Sequence, residues 1–251
     1  MVAPGQRTPQ AGGVIIHAAG HDVACRTAGS GPVGVILVHG IGVSGRYFTP
    51  LARVLARSAR VWVLDLPGFG GSPRPAAPLS IREHADVVAG VIATAGLRRP
   101  VVVGHSMGAQ VATELALVHP KRVGALVLIG PVVDPTARSG VRQAARLLRD
   151  VAHESPATTV MQVREWLRCG PRWYAATLPR MLEYPMEERA GGLRHPTALV
   201  RGDRDPVSPA RYLTMLARRV PAGTVAVPRA GHVAMARRPE AVADVVLRLA
   251  G

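Results

Sequence analysis

At 251 residues, 48% of them hydrophobic and 19% charged, the chain is long enough to bury one large core, and its composition excludes disordered, collagen-like and disulfide-scaffold classes. The 31 Lys and Arg against 16 Asp and Glu give a formal charge of +15, which taken alone suggests a nucleic-acid or acidic-membrane partner. The distribution speaks against that: Lys121 is the single lysine, the arginines run from Arg7 to Arg248 with nothing longer than doublets such as Arg98-Arg99, and aromatic residues are scarce. The charge therefore reads as a compositional bias, and no nucleic acid is expected.

Residues 1–13, rich in Pro and Gly, lack the basic start and apolar centre of a signal peptide. No stretch reaches the roughly 18 apolar residues of a spanning helix. Cys25 and Cys169 stand far apart, without metal-ligand or redox spacing. The expectation is a cytoplasmic protein with no membrane span and inert thiols.

Residues 14–17 and 22–26 read as two short strands, and 33–38 is a continuous apolar, β-branched run of the kind buried on both faces of a sheet. Helical spacing follows over 47–59, strand over 61–64, helix over 81–95, strand over 101–103, helix over 109–118 and strand over 125–129. From about 133 to 192 no β-branched run appears and helical spacing dominates. Strand then resumes at 197–200, followed by helix 209–219, strand 224–227 and helix 239–249, which opens with proline. Short strands alternating with longer helices predict an α/β fold with a mostly parallel, eight-stranded sheet and helices on both faces. Residues 1–132 and 193–251 would form its core, and 133–192 an inserted helical cap, or lid.

In such sheets ligands bind beyond the carboxyl ends of the strands. Three of these ends carry polar residues. Gly104-His105-Ser106-Met107-Gly108 lies between a strand and a helix, where small flanking residues allow a turn sharp enough to expose the serine hydroxyl. Gly202-Asp203-Arg204-Asp205-Pro206 follows the strand at 197–200, and Ala230-Gly231-His232 the strand at 224–227. A serine alcohol needs an imidazole to take its proton, and the imidazole needs a carboxylate to hold its tautomer. Ser106, Asp205 and His232 supply the three in that chain order. Asp203 suits a turn-capping role, and Asp134, after the strand at 125–129, is the alternative acid.

A rival reading exists. Gly40-Ile41-Gly42-Val43-Ser44-Gly45 is a complete G-x-G-x-x-G after a strand, and Asp65 stands at the end of the next strand, as in a dinucleotide-binding oxidoreductase. His39 at the strand end, Pro67-Gly68 behind Asp65 and two strands ahead of the motif tell against it. It also leaves Ser106, Asp205 and His232 without a role.

With His39-Gly40-Ile41-Gly42, the run from Asp65 to Ser72 and the three strand-end motifs, the chain resembles the α/β-hydrolase superfamily, specifically its small cap-bearing members. The resemblance covers about 33–132 and 195–251. It implies an oxyanion hole from the backbone N–H groups of Ile41 and Met107, and a structural role for 65–72. It also implies a serine esterase without cofactor or metal, monomeric or homodimeric, acting on a small acyl substrate: an ester, lactone or thioester. Carbon–carbon bond hydrolases, non-hydrolytic lyases and ligand receptors share the fold, so those readings stay open. In the insertion, Trp166, Trp173 and Tyr174 are candidates for lining an apolar substrate pocket. Arg138, Arg142, Arg146 and Arg149 share one helical face, solvated or set to recruit an anionic substrate, opposite Val141, Ala144, Ala145 and Leu148.

Overall fold

The apolar runs become strands because alternate residues serve two separate cores. In the computed structural model, which describes residues 12–250, β3 (Val33–Val38), β5 (Val101–His105), β6 (Ala125–Ile129) and β7 (Thr197–Gly202) lie side by side and parallel. Ile36, Val102, Leu126, Leu128 and Leu199 point into one core, while Leu37, Val101, Val103, Val127 and Val200 point into the other. Buried on both faces, these strands need no polar positions. The amino-terminal reading of 1–13 falls almost wholly outside the described residues, and no helix among those described is long and apolar enough to cross a membrane.

Adding β1 (Gly12–Ala18), β2 (His21–Ala28), β4 (Ala59–Leu64) and β8 (Ala222–Val227) gives eight strands in the order β1-β2-β4-β3-β5-β6-β7-β8. β1 and β2 form an antiparallel hairpin that joins β4 antiparallel, and every other pairing is parallel. Helices α2 (Ile81–Thr94) and α3 (Met107–Val118) close the first core with Val88, Ile92, Val111 and Leu115. After α8 (Ala210–Ala217) and α9 (Ala234–Arg237), helix α10 (Pro239–Arg248) joins α1 (Thr49–Leu55) in closing the second with Leu51, Leu55, Val242 and Val246. The chain leaves β3 toward one edge of the sheet and β5 toward the other. The loops that follow these strands therefore flank the crevice where the order reverses.

One element is shorter than its spacing predicts. The helix expected over 47–59 is confined to α1, because Ala59 already pairs with Val33 in the sheet and the turn at Ala56 to Ser58 must bring it there.

Between β6 and β7 the chain forms four helices, α4 (Gly140–Val151), α5 (Pro156–Cys169), α6 (Pro171–Glu183) and α7 (Met186–Ala190). Ser139 and Ser155 cap α4 and α5 by accepting from the N–H groups of Arg142 and Thr158. The amphipathic face of α4 is turned opposite to the usual sense. Gln143 and Asp150 are buried, while Val141 and Leu148 are 82% and 74% exposed. The four arginines do not form one solvated stripe either. Arg138 precedes α4 and pairs with Glu187 at 2.8 Å, and Arg146 reaches inward to Asp134 at 2.9 Å.

Candidate active site

β5 must end and α3 begin within a single residue, and Ser106 is that residue. It adopts φ 55°, ψ −119°, a conformation strained for any side chain, and its own N–H donates to the Ile129 carbonyl at 3.0 Å. The turn closes only because its neighbours lack side chains: a Cβ on Gly104 would strike the Gly108 carbonyl, and one on Gly108 would strike that of Val38. The hydroxyl is thereby lifted off the end of the sheet into a cavity of about 40 Å³ that His232, Ile41 and Tyr47 also line. Neither the Ile41 nor the Met107 N–H has a hydrogen-bond partner among the described residues. Met107 also opens α3, where the helix dipole favours negative charge.

His232 and Asp205 meet from the loops after β8 and β7. Asp205 Oδ2 accepts from His232 Nδ1 at 2.9 Å, and Oδ1 accepts from the N–H groups of Val207 and Ser208 at 2.8 and 3.0 Å. With Nδ1 as the donor, Nε2 is left as the acceptor in the neutral ring, and it is buried without a protein partner. Burial opposes a charge on this imidazole, but Asp205 in contact, with Asp150 and Glu154 nearby, outweighs it and raises the pKa to about 9. The room for the pair comes from Gly130 after β6. It has φ +51°, and a Cβ there would sit 2.8 Å from His232 Cε1 and 3.3 Å from Asp205 Oδ2.

Two residues that sequence reasoning did not assign a role tie the loop after β3 to the His232 loop. His105 Nε2 lies 2.9 Å from the His232 carbonyl, which can only accept, so Nε2 carries the proton and Nδ1 is an acceptor. The Tyr47 hydroxyl then donates to Nδ1 at 2.7 Å, leaving its oxygen to accept from the Gly40 N–H at 2.9 Å. Burial pushes His105 well below the ordinary histidine value and Tyr47 well above its own, so both stay neutral along this relay. The adjacency of His105 to Ser106 was the only cue in the sequence, and the partnership with Tyr47 depends on the fold.

The other candidates are otherwise engaged. Asp134 accepts from Arg146 and Arg211 at 2.9 and 2.7 Å. Burial would raise its pKa, but these bonds hold it down at about 2. Asp203 accepts from the Ala230 N–H at 3.3 Å, a turn-capping contact. Asp65 spans the Gly45 N–H at 2.8 Å and the Gly71 N–H at 2.9 Å, which fastens the loop after β3 to the turn after β4. No carboxylate is left there for a ribose. His39 donates from Nδ1 to the Gly40 carbonyl and accepts at Nε2 from the Leu66 N–H. Among the described residues no three His, Cys, Asp or Glu side chains are grouped to hold a metal ion.

Trp166 and Tyr174 line the cavity over Ser106. Trp173 does not; it packs on Gly68, with Arg74 stacked 5.7 Å from the ring centre. Gln143, Leu147, Trp166 and Tyr174 also line a second, apolar cavity of about 600 Å³ among α4, α5 and α6, so these four side chains border both spaces.

Two substitutions test this arrangement. Gly130→Ala is expected to lower turnover at least about tenfold by displacing the imidazole, with a stability loss of about 1–3 kcal/mol from the positive φ; wild-type turnover would show that the pair is not held there. Tyr47→Phe leaves the Gly40 N–H and His105 Nδ1 buried without partners. It should cost about 2 kcal/mol in urea denaturation, against almost none if the relay carries no stability.

A family model described as the alpha/beta hydrolase family matches residues 35–245. The chain is 26% identical over 257 residues, covering 91% of this chain and 99% of the relative, to a pimeloyl-[acyl-carrier protein] methyl ester esterase of Aeromonas salmonicida. Among solved structures, a thermophilic esterase from Thermogutta terrifontis superposes with a TM-score of 0.84 at 25% identity, over 96% of this chain and all of that one. The enol-lactonase from Burkholderia xenovorans superposes at 0.82 and 21% identity, over 94% and 99%, a likeness of fold alone. The strand order, the Ser106 turn and the family match agree: the chain belongs to the alpha/beta hydrolase family.

Proposed function

We propose that the protein is a serine hydrolase that cleaves carboxylic esters bearing an apolar acyl group, through an acyl-enzyme on Ser106. The observation that carries this reading is the common cavity of Ser106 and His232, with the imidazole backed by Asp205 at 2.9 Å and its Nε2 unpartnered. Ser106 Oγ attacks the carbonyl carbon while its proton passes to His232 Nε2. The negative charge that forms on the carbonyl oxygen is met by the N–H groups of Ile41 and Met107. The intermediate collapses, the alcohol leaves with the proton from Nε2, and His232 then deprotonates water to release the acid and restore Ser106. Names among the relatives point the same way, since two of them are called esterases.

The apolar space among α4, α5 and α6 adjoins this cavity and suits the acyl chain. It is large enough for more than a short acid, and the inserted helices that wall it act as the cap over the site.

Three measurements follow. A fluorophosphonate probe is expected to label Ser106 and no other serine, and Ser106→Ala should lose at least three orders of magnitude in kcat; labelling elsewhere or retained turnover overturns the reading. Because the neutral imidazole is the base, activity falls as His232 gains a proton. With its pKa raised by the carboxylates around it, the acidic limb of kcat/KM should lie above the ordinary histidine value of 6.5, and a limb below that value would count against the assignment. Ala144→Trp, which fills the apolar space from α4, should abolish the preference for long-chain over acetyl esters while leaving acetyl turnover within about twofold; an unchanged chain-length profile removes the acyl chain from that space.

A further inference from the structure

The loop that carries His232 is gripped from the insertion as well as from the core. Asp150, in the last turn of α4, accepts from the His232 N–H at 2.8 Å through Oδ1. Glu154, in the turn that follows, accepts from the Val233 N–H at 2.8 Å through Oε1. These contacts exist because residue 231 is glycine: a Cβ there would stand 2.6 Å from Asp150 Oδ1 and 2.7 Å from Glu154 Oε1. Asp150 is buried, and Glu154 keeps a second oxygen, Oε2, buried with no partner. Both are the only acids in the arginine-rich stretch between Asp134 and Glu165. A backbone N–H is satisfied equally by water or a main-chain carbonyl, so two carboxylates spent on adjacent N–H groups of one loop serve more than hydrogen-bond satisfaction.

Resting on the reading of Ser106 as nucleophile and His232 as base, we infer that Asp150 and Glu154 are positioning residues for His232, through which seating of the inserted helices sets the placement of the base and the carboxylates around it. With α4 seated, the imidazole is held by Asp205 on Nδ1, by His105 on its carbonyl, and by Asp150 and Glu154 on the following backbone. With α4 lifted, the last two holds are lost, and the base sits in a looser loop with less negative charge around it. The groups facing this cluster are Asp205 from the loop after β7, His105 from the end of β5, Asp150 and Glu154 from the insertion, and Arg237 toward Glu154 from α9 (Ala234–Arg237). Burial, opposed by His232 and reinforced by Asp205 and Glu154, pushes Asp150 up to about 7, so its charge changes near neutrality.

The test separates geometry from charge. Asp150→Ala with Glu154→Ala removes both acceptors, whereas Asp150→Asn with Glu154→Gln keeps an acceptor oxygen at each site and removes the charge. All are assayed on a small acetyl ester and normalised to sites titrated with a fluorophosphonate. The alanine pair is expected to lose about 10- to 100-fold in kcat with KM within about threefold. The amide pair should recover most of that kcat, with the acidic limb of kcat/KM moved down by about one pH unit. Wild-type kcat per titrated site in the alanine pair, or an unmoved limb in the amide pair, overturns the inference. A wild type that fails to label at Ser106 overturns the underlying reading instead, so the two failures are distinct.

Discussion

Ser106 is held at φ 55° because strand β5 and helix α3 leave it no other path, and the contacts around that turn determine where the remaining groups can stand. The turn is paid for by close backbone approach at Gly104 and Gly108, which brings α3 against the carbonyl of Val38 and fixes the loop after β3 relative to the serine. That loop is then locked twice more, by Asp65 across Gly45 and Gly71 and by Tyr47 on the Gly40 N–H. Local strain at one residue is tolerated because a rigid, doubly buried sheet opposes any relaxation of it.

Burial alone would make His39, His105 and His232 poor bases. It lowers His39 and His105, which spend both ring nitrogens on fixed hydrogen bonds and serve as neutral struts. His232 experiences the same burial and moves the other way, because carboxylates from two different parts of the chain surround it. The difference between His232 and these struts therefore lies in the neighbours and not in depth. One of those neighbourhoods, Asp150 and Glu154, belongs to the helical stretch between β6 and β7, which gives that stretch an electrostatic link to the His232 loop.

The central strands were legible because runs such as Val33–Val38 and Ala125–Ile129 are almost wholly apolar and rich in β-branched residues, and the strand ends because polar residues there have no business in a core. Ser106, Asp205 and His232 were singled out on that ground; in the structure Ser106 and His232 line one cavity, and Asp205 holds the His232 ring at 2.9 Å. The end of α1 was misjudged because helical spacing does not record that Ala59 must pair with Val33. In α4 the periodicity marked two faces without saying which turns inward, and Arg146, Gln143 and Asp150 turn inward while Val141 and Leu148 do not. Trp173 looked like its neighbours Trp166 and Tyr174 in composition, yet its position on the helix carries it onto Gly68 instead. Tyr47, Asp150 and Glu154 could not be read at all, since their partners lie 58, 82 and 79 residues away in the chain.

The balance of +15 understates how one-sided the outside of the molecule is at close range. Six of the sixteen acids, Asp65, Glu114, Asp134, Asp150, Glu165 and Asp205, are buried, whereas no arginine or lysine among the described residues is. This part of the negative charge is drawn into turns, pairs and the His232 cluster, while most of the arginines stay at least partly exposed. Within a Debye length, about 8 Å at physiological salt, a second copy of the chain would meet more arginine than carboxylate, and like charge would oppose its approach. The interior placement of a few carboxylates thus bears on colloidal behaviour: salt, which screens the excess positive charge, weakens the repulsion that opposes contact between the exposed Val141, Leu148 and Leu167 of neighbouring molecules.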